Sequence, residues 1–180
     1  DLHGFMNVTR QEAERRPVEE RVQDWKEVYP GGPGHALLPI ITDQASRCMD
    51  CGVPFCHTGC PLGNLIPDWN DLIWRDEWRE ALSCLQTTNN FPEFTGRLCP
   101  APCETACVEG LNRAPVTIKN VEVAIIDKAW EDRRVIPVVP EWHSLKTAAV
   151  VGSGPAGLAT AQQLTRTGHT VVVYERDDAI

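Results

Sequence analysis

The chain has 180 residues, about one domain or slightly more at roughly 150 residues per domain. Its 17 basic and 25 acidic residues give a formal charge of −8 at pH 7, which argues against nucleic-acid binding because that binding needs clustered lysines and arginines. A hydrophobic fraction of 42% is sufficient for a core. No apolar run approaches the roughly 20 residues that span a membrane, and no signal peptide opens the sequence, so we expect a cytoplasmic protein without a membrane partner.

The first predicted element is a helix over 17–29, where apolar residues recur at helical spacing with charges between them. The recurring residues are Val18, Val22, Trp25 and Tyr29. Proline and glycine over 30–34 are expected to end this helix. We therefore assign residues 1–35 to an N-terminal helical segment.

Residues 43–110 are rich in cysteine, proline and glycine, and one helix is predicted inside them with Asp76 as its N-cap. The apolar stripe of that helix consists of Trp78, Ala81, Leu82 and Leu85. A longer helix is predicted over 117–133. Its expected buried face consists of Val121, Ile125, Ile126 and Ala129.

The character of the sequence changes after a proline-containing linker, which we place at 135–146. Buried strands are predicted over 147–151 and 170–174, with a helix over 156–167 between them. This pattern indicates a βαβ unit with parallel strands. Two strands cannot bury both faces of a sheet, so we expect the nucleotide-binding domain at 147–180 to be incomplete.

Seven of the eight cysteines lie in two groups, a local density that needs a chemical explanation. The first group consists of Cys48, Cys51, Cys56 and Cys60, and the second of Cys99, Cys103 and Cys107. Disulfides are disfavoured because a reducing cytosol keeps thiols free. Structural zinc sites usually take paired ligands at the two ends of a loop, whereas the first group has four thiols within 13 residues.

Iron–sulfur clusters favour runs of closely spaced cysteines that end in Cys-Pro, and the run ending at Cys60 and Pro61 has this character. Seven thiols are one short of the eight ligands of two such clusters. A ligand other than cysteine is therefore expected if both groups are occupied. The eighth cysteine, Cys84, falls inside a predicted helix and is interpreted as a structural thiol. His57 could be a ligand, but we expect it to donate a local hydrogen bond.

A G-x-G-x-x-G loop follows the first predicted strand and opens the next helix. It comprises Gly152, Ser153, Gly154, Pro155, Ala156 and Gly157. Gly152 would permit the tight turn, Gly154 would let a pyrophosphate approach the backbone, and Gly157 would allow close packing of helix and strand. Glu175, after the second strand, would accept hydrogen bonds from ribose hydroxyls. An acidic residue there disfavours a 2′-phosphate, so the ADP half of FAD or NAD is the expected ligand.

These residues resemble the small (beta) subunits of NADPH-dependent glutamate synthase over essentially the whole chain. The most specific blocks are 48–64, 90–103 and 116–130. The resemblance implies an α-helical ferredoxin-like iron–sulfur domain over 36–134, followed by the start of an α/β Rossmann-like FAD-binding domain. It also implies an N-terminal fragment of a longer protein, with the NADPH site beyond these residues.

The resemblance further implies two 4Fe–4S clusters and a ligand set for each. One set would be Cys48, Cys51, Cys56 and Cys107, and the other Cys60, Cys99, Cys103 and Glu122. The last position is a Gln in the related dihydropyrimidine dehydrogenase, and a carboxylate there departs from ligation by four cysteines. As an alternative, Glu122 is an ordinary charged residue of its helix.

In function, the resemblance implies an electron-input subunit. Electrons would pass from NADPH through FAD and the two clusters to a large (alpha) subunit, which makes L-glutamate from L-glutamine and 2-oxoglutarate. The sequence nominates no nucleophile or general base of its own. The alternatives are a homologous subunit that serves another acceptor, such as ferredoxin or a pyrimidine, and a non-catalytic cluster-bearing docking module.

Overall fold

The computed structural model describes residues 3–30 and 40–179. The chain divides into two compact units, Asp1–Arg134 and Val135–Ile180. Residues 31–34, which were expected to end the first predicted helix, lie outside the described residues.

The regular elements described in the first unit are all helices. Its α-helices are α1 (Gly4–Asn7), α2 (Val18–Arg21), α3 (Ile41–Ser46), α4 (Phe55–Gly59), α5 (Ile66–Trp74), α6 (Trp78–Gln86), α7 (Pro92–Leu98), α8 (Pro102–Thr105) and α9 (Ile118–Glu131), with a 3-10 helix at Val108–Leu111.

The helix α9 forms the centre of this unit, because α3, α6 and α7 all pack against it. The prediction of a helix over 117–133 is confirmed. All four residues of the expected face are buried, namely Val121, Ile125, Ile126 and Ala129. The burial extends to polar residues of the same helix, including Lys119 and Glu122. A helix that is buried on nearly every side must satisfy or neutralise such groups internally.

The predicted helix over 17–29 is wrong beyond its first turn. Helix α2 stops after four residues, and the next two apolar positions, Val22 and Trp25, are exposed. A side-chain network competes with the helix here, because Asp24 accepts two hydrogen bonds from the guanidinium of Arg16, at 2.6 and 3.0 Å. Local hydrogen bonds of this kind give the backbone an alternative to helix.

The prediction of a single helix within 43–110 is also wrong, since α4, α5, α7 and α8 lie there as well as α6. Helices α5, α7 and α8 carry Pro67, Pro92 and Pro102 in their first turn. Proline suits that position because the first backbone N–H groups have no partner within the helix. Asp76 does not cap α6; its backbone is left-handed, at φ 64°, and its carboxylate accepts from the indole of Trp78.

The second unit contains β1 (Thr147–Val151), α10 (Pro155–Arg166) and β2 (Thr170–Tyr174). The strands are parallel, as predicted, with Thr147 opposite Thr170 and Val151 opposite Tyr174. The strand bounds match the prediction, and the helix begins one residue earlier than expected. Much of the apolar strand surface is exposed, including 88% of Val151.

In the part of the chain that the structure describes, no helix combines the length and the apolar character needed to cross a membrane.

Candidate functional site

The first set of thiols comes together from two distant segments of the chain. Cys48 follows α3, Cys51 lies in the next loop, Cys56 lies in α4, and Cys107 directly precedes the 3-10 helix. All four line one small, mostly apolar cavity, together with residues that include Ile66. The structure thus places around one space the four cysteines that the sequence resemblance assigned to one ligand set.

Burial governs the chemistry of these thiols. It raises the pKa of Cys48 to about 12 and that of Cys56 to about 11, and it also raises the pKa of Cys51. Repulsion from Cys107 adds to the shift in all three cases. Thiolate is the form that binds metal. Four neighbouring thiolates in an apolar cavity therefore require a cationic centre, and they fit an iron–sulfur cluster as a donor set.

A buried ion pair links the two segments that carry these thiols. Arg47 immediately precedes Cys48, Glu109 lies two residues after Cys107, and their side chains meet at 2.9 Å with 2% of each exposed. Arg47 also donates to the carbonyl of Pro115 at 2.9 Å. Burial raises the pKa of Glu109, and the charge of Arg47 opposes that rise.

Two thiols of the second set lie on or next to elements that pack together, α4 and α8, and the third, Cys99, directly follows α7. Cys60 follows α4, and Cys103 lies within α8. The approach is close because Gly59 has no side chain: a Cβ there would lie 2.6 Å from the Cβ of Ala106. Burial raises the pKa of Cys103, and repulsion from Cys60, Cys99 and two glutamates adds to it. These interactions indicate that Cys60 and Cys99 lie near Cys103.

Glu122 is one of the two glutamates that act on Cys103. Its side chain is held inside the unit, with 7% of the residue exposed, so it does not lie on a solvated face of α9. One carboxylate oxygen accepts hydrogen bonds from the amide of Asn89, at 3.1 Å, and from the hydroxyl of Thr95. Burial raises the pKa of Glu122 to about 7, against the effect of these donors and of Lys119.

Lys119 lies one turn before Glu122 and is also buried. Its ammonium donates to the carbonyl of Cys99, and its backbone N–H donates to Glu104 at 2.9 Å. Burial lowers the pKa of Lys119, whereas Cys99, Glu104 and Glu122 oppose that fall. Sequence reasoning missed this residue, because a lysine in a helix normally points to solvent.

Cys84 and His57 belong to neither set of thiols. Cys84 is a half-buried free thiol of α6, and burial raises its pKa with a contribution from Asp68. His57 was expected to donate a hydrogen bond. Instead its Nε2 accepts one from the backbone N–H of Ile66 at 3.0 Å, which occupies that nitrogen and ties α4 to the start of α5.

The glycine-rich loop joins β1 to α10 as a tight turn. Gly152 has φ +97°, which favours glycine. A Cβ on Gly157 would lie 2.1 Å from the carbonyl oxygen of Gly152, whereas one on Gly154 would meet nothing within 4 Å. Gly157 thus allows the helix to approach the turn, and Gly154 leaves open space at the N-terminus of a 12-residue helix. That is the arrangement of a phosphate-binding βα turn. Pro155 and Ala156 form the first turn of α10.

Glu175 closes the other side of this loop. Its carboxylate accepts hydrogen bonds from the backbone N–H and the hydroxyl of Ser153, the former at 2.7 Å. These donors, with the backbone N–H groups of Arg176 and Asp177, hold the pKa of Glu175 at about 2. The carboxylate is therefore ionised and fixed at the end of β2.

The cysteine-rich unit and the βαβ unit define the class of protein. The chain belongs to the family described as dihydropyrimidine dehydrogenase domain II, 4Fe–4S cluster, whose model matches residues 21–134. Residues 150–180 match the model of NAD(P)-binding Rossmann-like domains.

Particular relatives are glutamate synthases. The chain is 60% identical to the NADPH glutamate synthase small chain of Mycobacterium tuberculosis, over all of this chain and 36% of that protein. It is 49% identical to the corresponding small chain of Bacillus subtilis, over 97% of this chain and 36% of that protein. It is 51% identical to the NADH glutamate synthase of Schizosaccharomyces pombe, over 98% of this chain and 8% of that protein. The chain thus spans about a third of the bacterial relatives.

Proposed function

We propose that this chain belongs to the electron-input subunit of a glutamate synthase, acting in the cytoplasm with a large subunit as its partner. The observation that carries the proposal is the cavity lined by Cys48, Cys51, Cys56 and Cys107, in a chain that also contains a dinucleotide-type βαβ unit. When bound, two 4Fe–4S clusters would relay single electrons from FAD, itself reduced by NADPH, to the large subunit that forms L-glutamate from L-glutamine and 2-oxoglutarate.

The first unit, over 36–134, would supply the cluster ligands. The first set is Cys48, Cys51, Cys56 and Cys107, and the second is Cys60, Cys99, Cys103 and Glu122. The mostly apolar lining around the first set would help to fix the potential of a bound centre. The described residues would position carriers and set potentials, and we assign none of them a role in bond making or breaking.

The loop of the second unit would bind the ADP half of FAD. Its residues are Gly152, Ser153, Gly154, Pro155, Ala156 and Gly157, with Glu175. The open space at Gly154 and the N-terminus of α10 suit a pyrophosphate. Ser153 holds the carboxylate of Glu175 in place, where it can accept a ribose hydroxyl. We place the NADPH site outside these residues and treat 135–146 as a linker.

Metal analysis of the complete protein, purified without oxygen, tests the cluster proposal. We expect about eight iron and eight sulfide per chain and a broad absorbance near about 400 nm, as for two thiolate-ligated 4Fe–4S clusters. Zinc without sulfide would contradict the proposal. NADPH-dependent formation of glutamate with the large subunit tests the reaction itself.

A second candidate function follows from the family match, whose description names dihydropyrimidine dehydrogenase. In this case the same carriers would serve a different acceptor. Reduction of a pyrimidine by the complete protein, without glutamate formation, would favour this candidate. Cluster loading with no NADPH oxidation by either route would instead favour a non-catalytic docking module.

A further inference from the structure

Lys119 is a buried cation to which the described residues supply no carboxylate at salt-bridge distance. Its ammonium donates to a neutral group, the carbonyl of Cys99. The nearby Glu104 is satisfied by other donors, since Arg10 binds one oxygen at 2.6 Å and the backbone N–H of Lys119 binds the other at 2.9 Å. Among the described residues, no carboxylate forms a salt bridge with the Lys119 ammonium. An isolated buried charge is costly, so a compensating anion is expected close by.

Two of the three anionic groups that act on Lys119, Cys99 and Glu122, belong to the proposed second ligand set. Glu122 lies three residues further along α9, a spacing that places both on one face of the helix. Cys99 lies directly at the ammonium through its own backbone. The charges of Cys99, Glu104 and Glu122 all act on Lys119 in the attractive sense, and Arg15 acts in the opposite sense.

The first set lies beside a cation that is already paired. Arg47, which directly precedes Cys48, is buried and is matched by Glu109 at 2.9 Å and by backbone carbonyls. The two sets therefore differ in their electrostatic surroundings. The first lies beside Arg47, which is paired with Glu109, and the second lies beside Lys119, which is in no ion pair among the described residues. A nearby positive charge favours the more negative, reduced form of a redox centre.

We propose that the charge of Lys119 raises the reduction potential of the cluster held by Cys60, Cys99, Cys103 and Glu122, so that electrons entering the first unit favour the second site. Lys119 is a positioning residue in this proposal: it acts through its charge and through the backbone of Cys99, and it is not a ligand. The inference rests on the proposed cluster sites.

The test is a redox titration of the complete holoprotein, followed by electron paramagnetic resonance, with Lys119→Met and Lys119→Gln. Both remove the charge, and glutamine keeps a donor for the Cys99 carbonyl. At a fixed potential we expect the ratio of reduced to oxidised second cluster to fall about tenfold, the order expected for one charge at short range, with the first cluster unchanged. Lys119→Arg should retain the native ratio. The signal that survives in a Cys51→Ser variant identifies the second cluster.

Lys128→Met is the matched control. Lys128 is on the same helix, roughly 13 Å further along its axis, where it pairs with Asp132 and faces the ring of Trp78. This variant should titrate like the native protein.

The shift described above, with the native ratio retained in Lys119→Arg, would support the proposal. An unchanged ratio at full iron content would overturn it, as would loss of the second cluster in Lys119→Arg as well as in the neutral variants, because packing rather than charge would then be required. A native protein without iron and sulfide would contradict the proposed function instead, independently of these variants.

Discussion

At the scale of single residues, Glu122 decides whether the second site has a carboxylate ligand. The residue is buried, and Asn89 and Thr95 hold one of its oxygens. We expect Glu122→Ala to lose one cluster, so that iron falls from about eight to about four per chain. Glu122→Gln keeps an oxygen at the same place and should retain iron with an altered potential. Iron content and paramagnetic resonance spectra measure both.

The control for Glu122→Ala is Glu131→Ala, at the far end of α9, which should keep its full iron content. If Glu122→Ala also kept native iron and spectra, Glu122 would not be a ligand.

Alanine substitutions at two glycines of the βα turn are expected to have different effects, one on stability and the other on FAD binding. Gly157→Ala places a Cβ 2.1 Å from a backbone oxygen, and such overpacking costs about 1–3 kcal/mol. It should therefore speed hydrogen exchange in α10 whether or not a nucleotide is present. Gly154→Ala meets no protein atom within 4 Å and has an ordinary φ of −64°. This variant should keep native exchange and bind FAD more weakly, and equal exchange in both variants would argue against the separation.

At the scale of elements, the ion pair of Arg47 and Glu109 holds the loop after α3 against the 3-10 helix. Arg47→Met leaves the carboxylate of Glu109 buried without its partner, which costs about 3–5 kcal/mol. We expect a lower urea midpoint and early loss of iron. Arg75→Met removes an exposed pair with Asp71 and should cost less than about 1 kcal/mol. Similar midpoints for both variants would contradict a structural role for the buried pair.

Elements with a local signal could be predicted from the sequence. Helix α9 and the βαβ unit carry a sustained periodicity or uniformly apolar strands, and both were placed to within a few residues. The helix over 17–29 had similar periodicity, but the pairing of Asp24 with Arg16 ends it. Helices that begin at a proline were missed because their apolar positions are few.

In the candidate site, too, the sequence predicts the residues that have a local pattern and misses those that depend on tertiary contacts. Cysteine spacing along the chain predicts the two groups of thiols and, if both groups hold clusters, an eighth ligand that is not cysteine. The burial of Lys119 depends on contacts between distant segments, such as its hydrogen bond to the carbonyl of Cys99, and no local sequence pattern predicts it.

At the scale of the whole molecule, the two units differ in how completely they bury apolar surface. The first has a core around α9, whereas β1 and β2 leave Val151 and Tyr174 largely exposed. A two-stranded sheet is marginal in water, so we expect a peptide of residues 135–180 to give the circular dichroism spectrum of an unfolded chain. A segment of residues 1–134, reconstituted with iron and sulfide, should be helical. A cooperative thermal transition in the short peptide would contradict this expectation.

The cavity shared by Cys48, Cys51, Cys56 and Cys107 has a consequence for biosynthesis. A chain emerging from the ribosome presents Cys48, Cys51, Cys56 and Cys60 together, long before Cys107 is made. Four early thiols in one short segment can capture a zinc ion in a grouping that the folded protein does not use. We therefore expect correct loading to depend on when iron and sulfide are delivered as well as on affinity, because Cys107 is made last.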